Sequence, residues 1–378
     1  MSVWTKQKFK NFVSLQRGFD LPRQDRVDGK YPVVASTSIT AFHNEFKVKA
    51  PCVTTGRSGA LGEVLYIDVD CWPLNTALWV KDFHKNNPRF VYYKLKTLGL
   101  EKFNAGAGVP TLNKNHLDTL EIEIPDLPTQ TRIASVLSAY DDLIENNEKR
   151  IKALEEMAQL LYTEWFVKFK FPGHEKVKMI ESGTEYGKIP DGWEVVPIIR
   201  LAEFMNGYPF KPKQLSKKGF PIVKIPELRS GILDKTPRNS GDGINKKYII
   251  QTGDILFSWS ATLLVNIWNS GEALLNQHLF KVTPKESIYN SYVFYALTLL
   301  VEKIRKHVVG ATMQHLRKDT VESAQVLLPS MVVLTAYEMR ASKMLHEMSL
   351  LNQKNQTLSK MRDLLIPQLV TGKREIKV

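Results

Sequence analysis

Cysteine is almost missing from this chain: Cys52 and Cys71 are the only two, and they lack CxxC spacing. That scarcity argues against a disulfide framework and a structural zinc site, and it predicts a reducing compartment, the cytoplasm. Long apolar runs are missing too. The longest near-continuous one, Tyr292–Val301, is about half a membrane span. The opening MSVWTKQKFK has no apolar stretch of the secretory kind. A soluble, cytoplasmic protein without membrane contact is expected.

Signatures of catalysis are equally scarce. No GxxxxGK[ST], GxGxxG or GxSxG string occurs. Asn87–Pro88–Arg89–Phe90 comes near the [DN]-P-P-[FY] string of adenine methyltransferases, but Arg stands where the second Pro belongs, and the segment reads as a helix start. Glu45–Phe46–Lys47 has the ExK spacing of some metal nucleases without a well-placed Asp, and His346–Glu347 lacks the second His of a zinc helix. No cofactor and no metal are expected in this chain, and a binding module is favoured over an enzyme.

Positive charge, by contrast, is in surplus: Lys plus Arg number 52 against 39 acidic residues, a net charge of +13. Basic side chains release condensed counterions when they neutralise phosphates, so a polyanion is the favoured partner. The excess lies in segments 1–128, 173–332 and 333–378, while 129–172 is slightly acidic.

The chain also repeats itself. Residues 106–166 lie over 310–370 without a gap, at an offset of 204. Gly106, Leu112, Lys114, Pro125 and Ser138 meet Gly310, Leu316, Lys318, Pro329 and Ser342; Leu154, Met157, Leu160 and Leu161 meet Leu358, Met361, Leu364 and Leu365. A fainter echo sets Leu74, Asn75 and Leu78 on Leu275, Asn276 and Leu279. Each half reads as a mixed region followed by a long helix. KVKAPCVTTG, EVLYIDV, TALWVKD, TLEIEIP, IVKIP, DILFSW and SAQVLLP carry strand signals. Pro88–Leu100 and Tyr292–His307 read as helical, and the turn-rich stretch Gly183–Pro197 reads as a linker.

In the helices, apolar positions alternate by four and three. The first seam is Ile133, Leu137, Tyr140, Ile144, Asn147, Ile151, Leu154, Ala158, Leu161 and Trp165. The second is Tyr337, Ala341, Met344, Met348, Leu351, Asn355, Leu358, Arg362, Leu365 and Leu369. Helices of this length are about 50 Å long at 1.5 Å per residue. A two-fold relation between the halves makes the pair antiparallel. If Asn147 faces Asn355, then Ile144 meets Leu358, Leu137 meets Leu365, Ile133 meets Leu369 and Trp165 meets Tyr337. The alternative leaves either Asn on a solvated edge. Asp141/Asp142 and Glu155/Glu156 are expected on a solvated or partner-facing side.

The predicted architecture is α+β. Two pseudo-two-fold-related α/β domains, 1–128 and 173–332, are separated by a central helix (129–172) and a C-terminal helix (333–378) that form an antiparallel coiled coil.

Several strings carry a resemblance in this order: TTGRSGALGEV, WPLNTALWV, TLNKNHLDTLEIEIP, the PDLPTQTRIASVLSAYDDLIENNEKRIKALEEM helix, PDGWEVVPI, TGDILFSWSATLL, ALLNQHLFKV, GATMQHLRKDTVESAQVLLP and the closing LLIPQLVTGK. Over nearly its whole length the chain resembles the specificity subunit of type I restriction–modification systems. One departure is MVVLTAYEM where the first half has PTQTRI, which blurs the start of the second helix. The resemblance implies that each domain binds one part of a split double-stranded DNA target; because the domains differ outside the repeat, unlike half-sites and hence an asymmetric target are expected. It implies that the helices dock two methyltransferase subunits, which restriction subunits then join, and that helix length sets the gap between half-sites. S-adenosylmethionine, ATP and magnesium would belong to those partners. The other readings are a two-domain DNA-binding regulator without methyltransferase, and a coiled-coil scaffold binding only proteins.

Residues that touch DNA are nominated by chemistry. Thr54, Thr55, Arg57 and Ser58 in TTGRSG offer hydroxyls, amides and an Arg able to grip guanine, against the plainer reading of a β-turn. The repeat-related loops 106–114 and 310–318 offer Thr111, Asn113, Lys114, Thr312, Gln314, His315, Arg317 and Lys318, against a turn before a strand. Ser258, Trp259 and Ser260 follow GDILF, with Trp259 open to a core role; Lys224 and Arg229 are phosphate candidates.

Overall fold

The computed structural model describes residues 4–106, 108–260, 262–307 and 321–376. They form two compact units, Met1–Glu145 with Thr357–Val378, and Asn146–Gln356. Each long helix therefore gives one end to each unit.

In the first unit the strands are β1 (Trp4–Lys8), β2 (Ser14–Arg17), β3 (Tyr31–Val34), β4 (Ile39–His43), β5 (Cys52–Gly56), β6 (Val64–Ile67), β7 (Trp72–Pro73), β8 (Ala77–Asp82) and β9 (Glu121–Pro125). The order β2-β8-β5-β6 makes an antiparallel sheet, β4-β3-β7 a smaller sheet with β3 and β7 parallel, and β1 pairs with β9. Both faces of β5 are covered, since Val53 belongs to the cluster under helix Pro88–Lys96 and Cys52 to another with Val34, Val48, Ile67 and Cys71. Asn87 caps that helix by accepting from Phe90 N at 3.1 Å, with Pro88 in the first turn, so the near-motif is a helix start.

The second unit contains β10 (Met179–Glu181), β11 (Lys188–Pro190), β12 (Glu194–Pro197), β13 (Ala202–Asn206), β14 (Phe220–Val223), β15 (Arg238–Asn239), β16 (Ile249–Ile250), β17 (Ile255–Ser258), β18 (Leu264–Ile267), β19 (Ala273–Leu275), β20 (Leu279–Pro284) and β21 (Gln325–Leu328). The plan recurs: β13-β20-β17-β18 is the larger sheet, β15-β14-β19-β16 the smaller with β14 and β19 parallel, and β12 pairs with β21. Two details depart from the sequence reading. The expected linker 183–197 is occupied by the hairpin β10–β11 and by β12, so its turn residues serve a sheet. IVKIP is strand only to Val223, because Ile225–Ser230 is helical and the Glu227 carboxylate accepts Lys224 N at 3.1 Å.

The long helices are Leu127–Tyr162, closing in a π turn at Thr163–Val167, and Met331–Val370. No seam position on either helix is exposed. In the second unit Asn147 Nδ2 donates to Asn355 Oδ1 at 2.8 Å, Arg150 pairs with Glu347 at 2.8 Å, and the Trp165 and Tyr337 rings lie 6.1 Å apart. In the first unit Ile133 and Leu137 share a core with Leu365, Ile366 and Leu369. Within each unit the helix segments run antiparallel in the expected register, and the Asn residues pair with each other. The repeat also reaches the cores. Ile133, Leu137, Ile366, Leu369 and Val370 in the first core stand where Tyr337, Ala341, Tyr162, Trp165 and Phe166 stand in the second.

One polar expectation is overturned. Asp141 is not on a solvated face: its side chain is 18% exposed, bonds Arg362 at 2.6 Å and accepts from the Tyr93 hydroxyl. Burial and that carboxylate together push the Tyr93 phenol well above its ordinary range. Asp142 stays exposed and reaches Arg89 at 3.4 Å.

Lys94, 5% exposed, donates to Glu123 O at 2.7 Å and to Val370 O at 3.4 Å, fastening β9 and the end of the last helix. Burial drives its ammonium down to about 8. The folded chain therefore binds fewer protons at Lys94 than the unfolded chain between pH 8 and its unfolded value of about 10.4. The cost of burying that charge is relieved over this window, so stability should rise with pH there. Melting followed from pH 8 to pH 9.5 should show an upward slope that Lys94→Met abolishes; equal slopes would refute this. Replacing both Asn147 and Asn355 by Leu should raise the melting temperature by about 2–4 °C per kcal/mol of added apolar burial. It should also loosen the register, seen as heterogeneity in cysteine cross-linking across the helices.

Candidate nucleic-acid interface

A glycine fixes the loop end of each unit. A Cβ on Gly18 would lie 2.2 Å from Leu74 O, and one on Gly207 would lie 2.3 Å from Asn276 O. With no Cβ in the way, the next residue bonds the neighbouring loop in both directions. Phe19 N donates to Pro73 O and Asn75 N to Phe19 O; Tyr208 N donates to Leu275 O and Gln277 N to Tyr208 O. Thus Leu74 is equivalent to Asn276, one residue on from the pairing suggested by sequence similarity alone. Gly18–Phe19 and Gly207–Tyr208 escaped notice because their separation of 189 differs from the offset of 204 farther on. The detectable signal was a Gly–aromatic pair early in each half.

In the first unit this latch gathers several nominated groups. Asn75 Nδ2 donates to Asp20 Oδ1, and Arg57 Nη1 donates to Asn75 O at 3.2 Å. Ser58 bridges Thr111, and Gly59 N donates to Pro110 O at 2.9 Å. The Ser36 hydroxyl lies 2.8 Å from both Ser58 O and Thr76 O. Arg57 and Ser58 are half-buried beside the exposed tip Val109–Pro110, while Asn113 caps the short helix that begins at exposed Lys114. Residues 57–59 and 109–112, nominated separately, form one surface.

Thr54 and Thr55 leave the candidate set. Each is 1% exposed within β5, which is covered on both faces, and Thr55 donates to Glu63 O at 2.9 Å. Ser258, fully buried at the end of β17, and Ser260, 4% exposed, are likewise interior. Trp259 is half-buried and packs 6.0 Å from His278 and Phe280. Lys224 is half-buried at the strand-to-helix junction and Arg229 is exposed one turn later. Thr312, Gln314, His315, Arg317 and Lys318 lie outside the described residues, as does Ala107.

The second unit presents a group that the sequence reading missed. Tyr208 stands 4.9 Å from Phe210 and 5.4 Å from Tyr248, its hydroxyl accepts from Gln214 Nε2 at 3.1 Å, and Lys247 Nζ lies 5.0 Å from the Tyr248 ring. Exposed Lys211, Lys213 and Lys246 belong to the same loops, and Gln277 and His278 are exposed beside the latch. Lysines on loops around packed aromatics suit phosphate contact, and exposed amides suit base edges. Among the described residues no group of three His, Cys, Asp or Glu can hold a metal ion, and no helix is long and apolar enough to cross a membrane.

Comparison with known proteins gives a consistent picture. A family model described as the type I restriction modification DNA specificity domain matches residues 1–156 and again 190–333. The chain is 29% identical over 313 residues to the type I restriction enzyme MjaIX specificity subunit of Methanocaldococcus jannaschii, covering 76% of this chain and 69% of that one. It is 23% identical over 332 residues to the HindI specificity subunit of Haemophilus influenzae, covering 70% and 71%. The crystal structure of a type I restriction-modification system S subunit from M. genitalium shares the fold, with a TM-score of 0.62 at 16% identity over 100% of this chain and 97% of that one.

Gly18→Ala and Gly207→Ala should each cost about 1–3 kcal/mol, since the added methyl must push back a backbone carbonyl. Full-length melting curves check this; unchanged stability in both variants would remove the latch.

Proposed function

Because the chain belongs to the type I restriction modification DNA specificity family, we propose that each unit's latched loop cluster reads one half of a split DNA target. The observation that carries this reading is one strand plan, built twice, holding two unlike loop sets. The first offers Arg57, Asn75 and Lys114; the second offers Tyr208, Tyr248, Gln277 and surrounding lysines. Unlike readers on a common frame call for unlike half-sites, hence an asymmetric target. Specificity arises here by binding, and the chemistry belongs to partners: methyltransferase subunits, then restriction subunits, bringing S-adenosylmethionine, ATP and magnesium. A methyltransferase must extract its base from the stack, and this chain's task is to present the duplex to it in register.

The test is DNA binding by the complex of this chain with its cognate methyltransferase subunits. Substituting bases in either half-site should cost about 1–3 kcal/mol per position. Changing the bases of the intervening gap should cost little, whereas lengthening the gap should abolish binding. Log affinity should fall linearly with log salt. Indifference to the sequence of one half-site would refute a two-part reader, and failure of the chain to co-purify with a methyltransferase would favour a stand-alone regulator.

A further inference from the structure

The two units fill one equivalent space differently. At an offset of 202, Val91, Tyr93 and Leu95 of helix Pro88–Lys96 answer to Val293, Tyr295 and Leu297 of helix Asn290–His307. The neighbouring strands keep this relation, since Thr54 faces Trp79 and Leu256 faces Lys281. One strand over, Val53 lies opposite Tyr66 and Ile255 opposite Ile267. Arg89 therefore corresponds to Ser291, and Tyr66 to Ile267. On the long helices the offset of 204 sets Ala134, Asp141 and Asp142 on Glu338, Leu345 and His346.

In the first unit Arg89 occupies this space. Its guanidinium lies 4.1 Å from the centre of the Tyr66 ring and 3.4 Å from the Asp142 carboxylate, while the Tyr93 hydroxyl donates to Asp141. In the second unit the same place is a cavity of about 580 Å³, a size that suits a small molecule. Ser291 and Glu338 stand on its wall, Ile255, Ile267 and Val282 form an apolar floor, and exposed His346 also lines it. A second cavity of about 250 Å³ shares Ile267 and Leu345 with the first and borders Tyr295. With Leu345 where Tyr93 finds Asp141, the Tyr295 hydroxyl has no hydrogen-bond partner among the described residues. The same is true of the Ser291 hydroxyl, in a residue only 1% exposed.

Both units keep a carboxylate here, but only the first keeps its cation. Glu338 accepts Ser291 N at 3.1 Å and, among the described residues, meets no cationic side chain. Asp254, which also lines the cavity, is already paired with Lys281 at 2.7 Å. A half-buried carboxylate without a counter-charge favours a ligand that brings one. Replacement of Tyr66 by Ile267 makes the floor aliphatic, which suits a methylene chain. We propose that this cavity binds a small aliphatic guanidinium compound, whose cation takes the place that the Arg89 guanidinium holds in the first unit. The planar cation forks onto Glu338, its chain covers Ile255, Ile267 and Val282, and the Ser291 hydroxyl supplies a further acceptor. Binding here requires neither DNA nor a partner subunit, so its failure would leave the DNA-reading role intact.

Calorimetric titration of the full-length chain alone with n-butylguanidinium tests this. One equivalent should bind, at least about tenfold more tightly than n-butylurea, which has nearly the same shape and no charge. Ser291→Arg should supply the cation from the chain itself and abolish binding without lowering the melting temperature. Glu338→Gln keeps an acceptor for Ser291 N and should weaken binding at least about tenfold. Should Ser291→Arg fail to fold, Glu338→Gln decides the matter. Absence of binding to the unaltered chain up to about 10 mM ligand, or equal binding of the urea, would overturn the site. Undiminished affinity in folded Ser291→Arg or in Glu338→Gln would do so too.

Discussion

Each globular unit depends on helix segments supplied from far along the chain to close its core. The first core takes Ile133, Ala134 and Leu137 from the start of the central helix, and Ile366, Leu369 and Val370 from the end of the last one. The second takes Ala158, Tyr162, Trp165 and Phe166 from the opposite end of the central helix, with Val333, Leu334, Tyr337 and Ala341. Burial of such side chains contributes about 1.5–3 kcal/mol each, so neither unit can discard its helices and keep its stability. The polar contacts along the seam add discrimination. Asn147 with Asn355, and Asp141 with Arg362, are each satisfied in one register only.

Division of labour follows from this arrangement. Strands such as β5, covered on both faces, form the frame, and the loops at one end, held by a glycine whose replacement is costly, are free to differ in chemistry. The latches at Gly18 and Gly207 fix where a loop leaves the sheet without dictating what the loop carries. Positive charge is prominent in loops such as that of Lys246 and Lys247, whereas the central helix is slightly acidic.

The seam was legible because a four–three alternation survives drift: any apolar residue of adequate size keeps the period, and the Asn residues marked the register. The strands were legible for the same reason. The loop chemistry was far less so. Thr54 and Thr55 read as polar and accessible, yet β5 lies between two apolar clusters, a fact carried by residues remote in sequence. Asp141 read as a solvated helix position until Tyr93 and Arg362 were placed around it. Unequal loop lengths hid the Gly–aromatic latch, because a repeat sought at one offset cannot follow insertions. Arg57 and Thr111 were nominated from chemistry alone, and their juxtaposition through the Ser58 bridge needed the fold.

Completion of the first core by Ile366, Leu369 and Val370 bears on how the protein is made. On the ribosome the opening half emerges early, yet its missing apolar pieces follow only after all the strands of the second unit. At roughly 5–20 residues per second that half waits on the order of ten seconds or more with an uncovered face. Its nascent form keeps that apolar face open until those pieces emerge, whereas the later half receives its own helix turn soon after its strands. Loss of the helix turn that carries Ile366, Leu369 and Val370 would uncover the core of the first unit, far back along the chain.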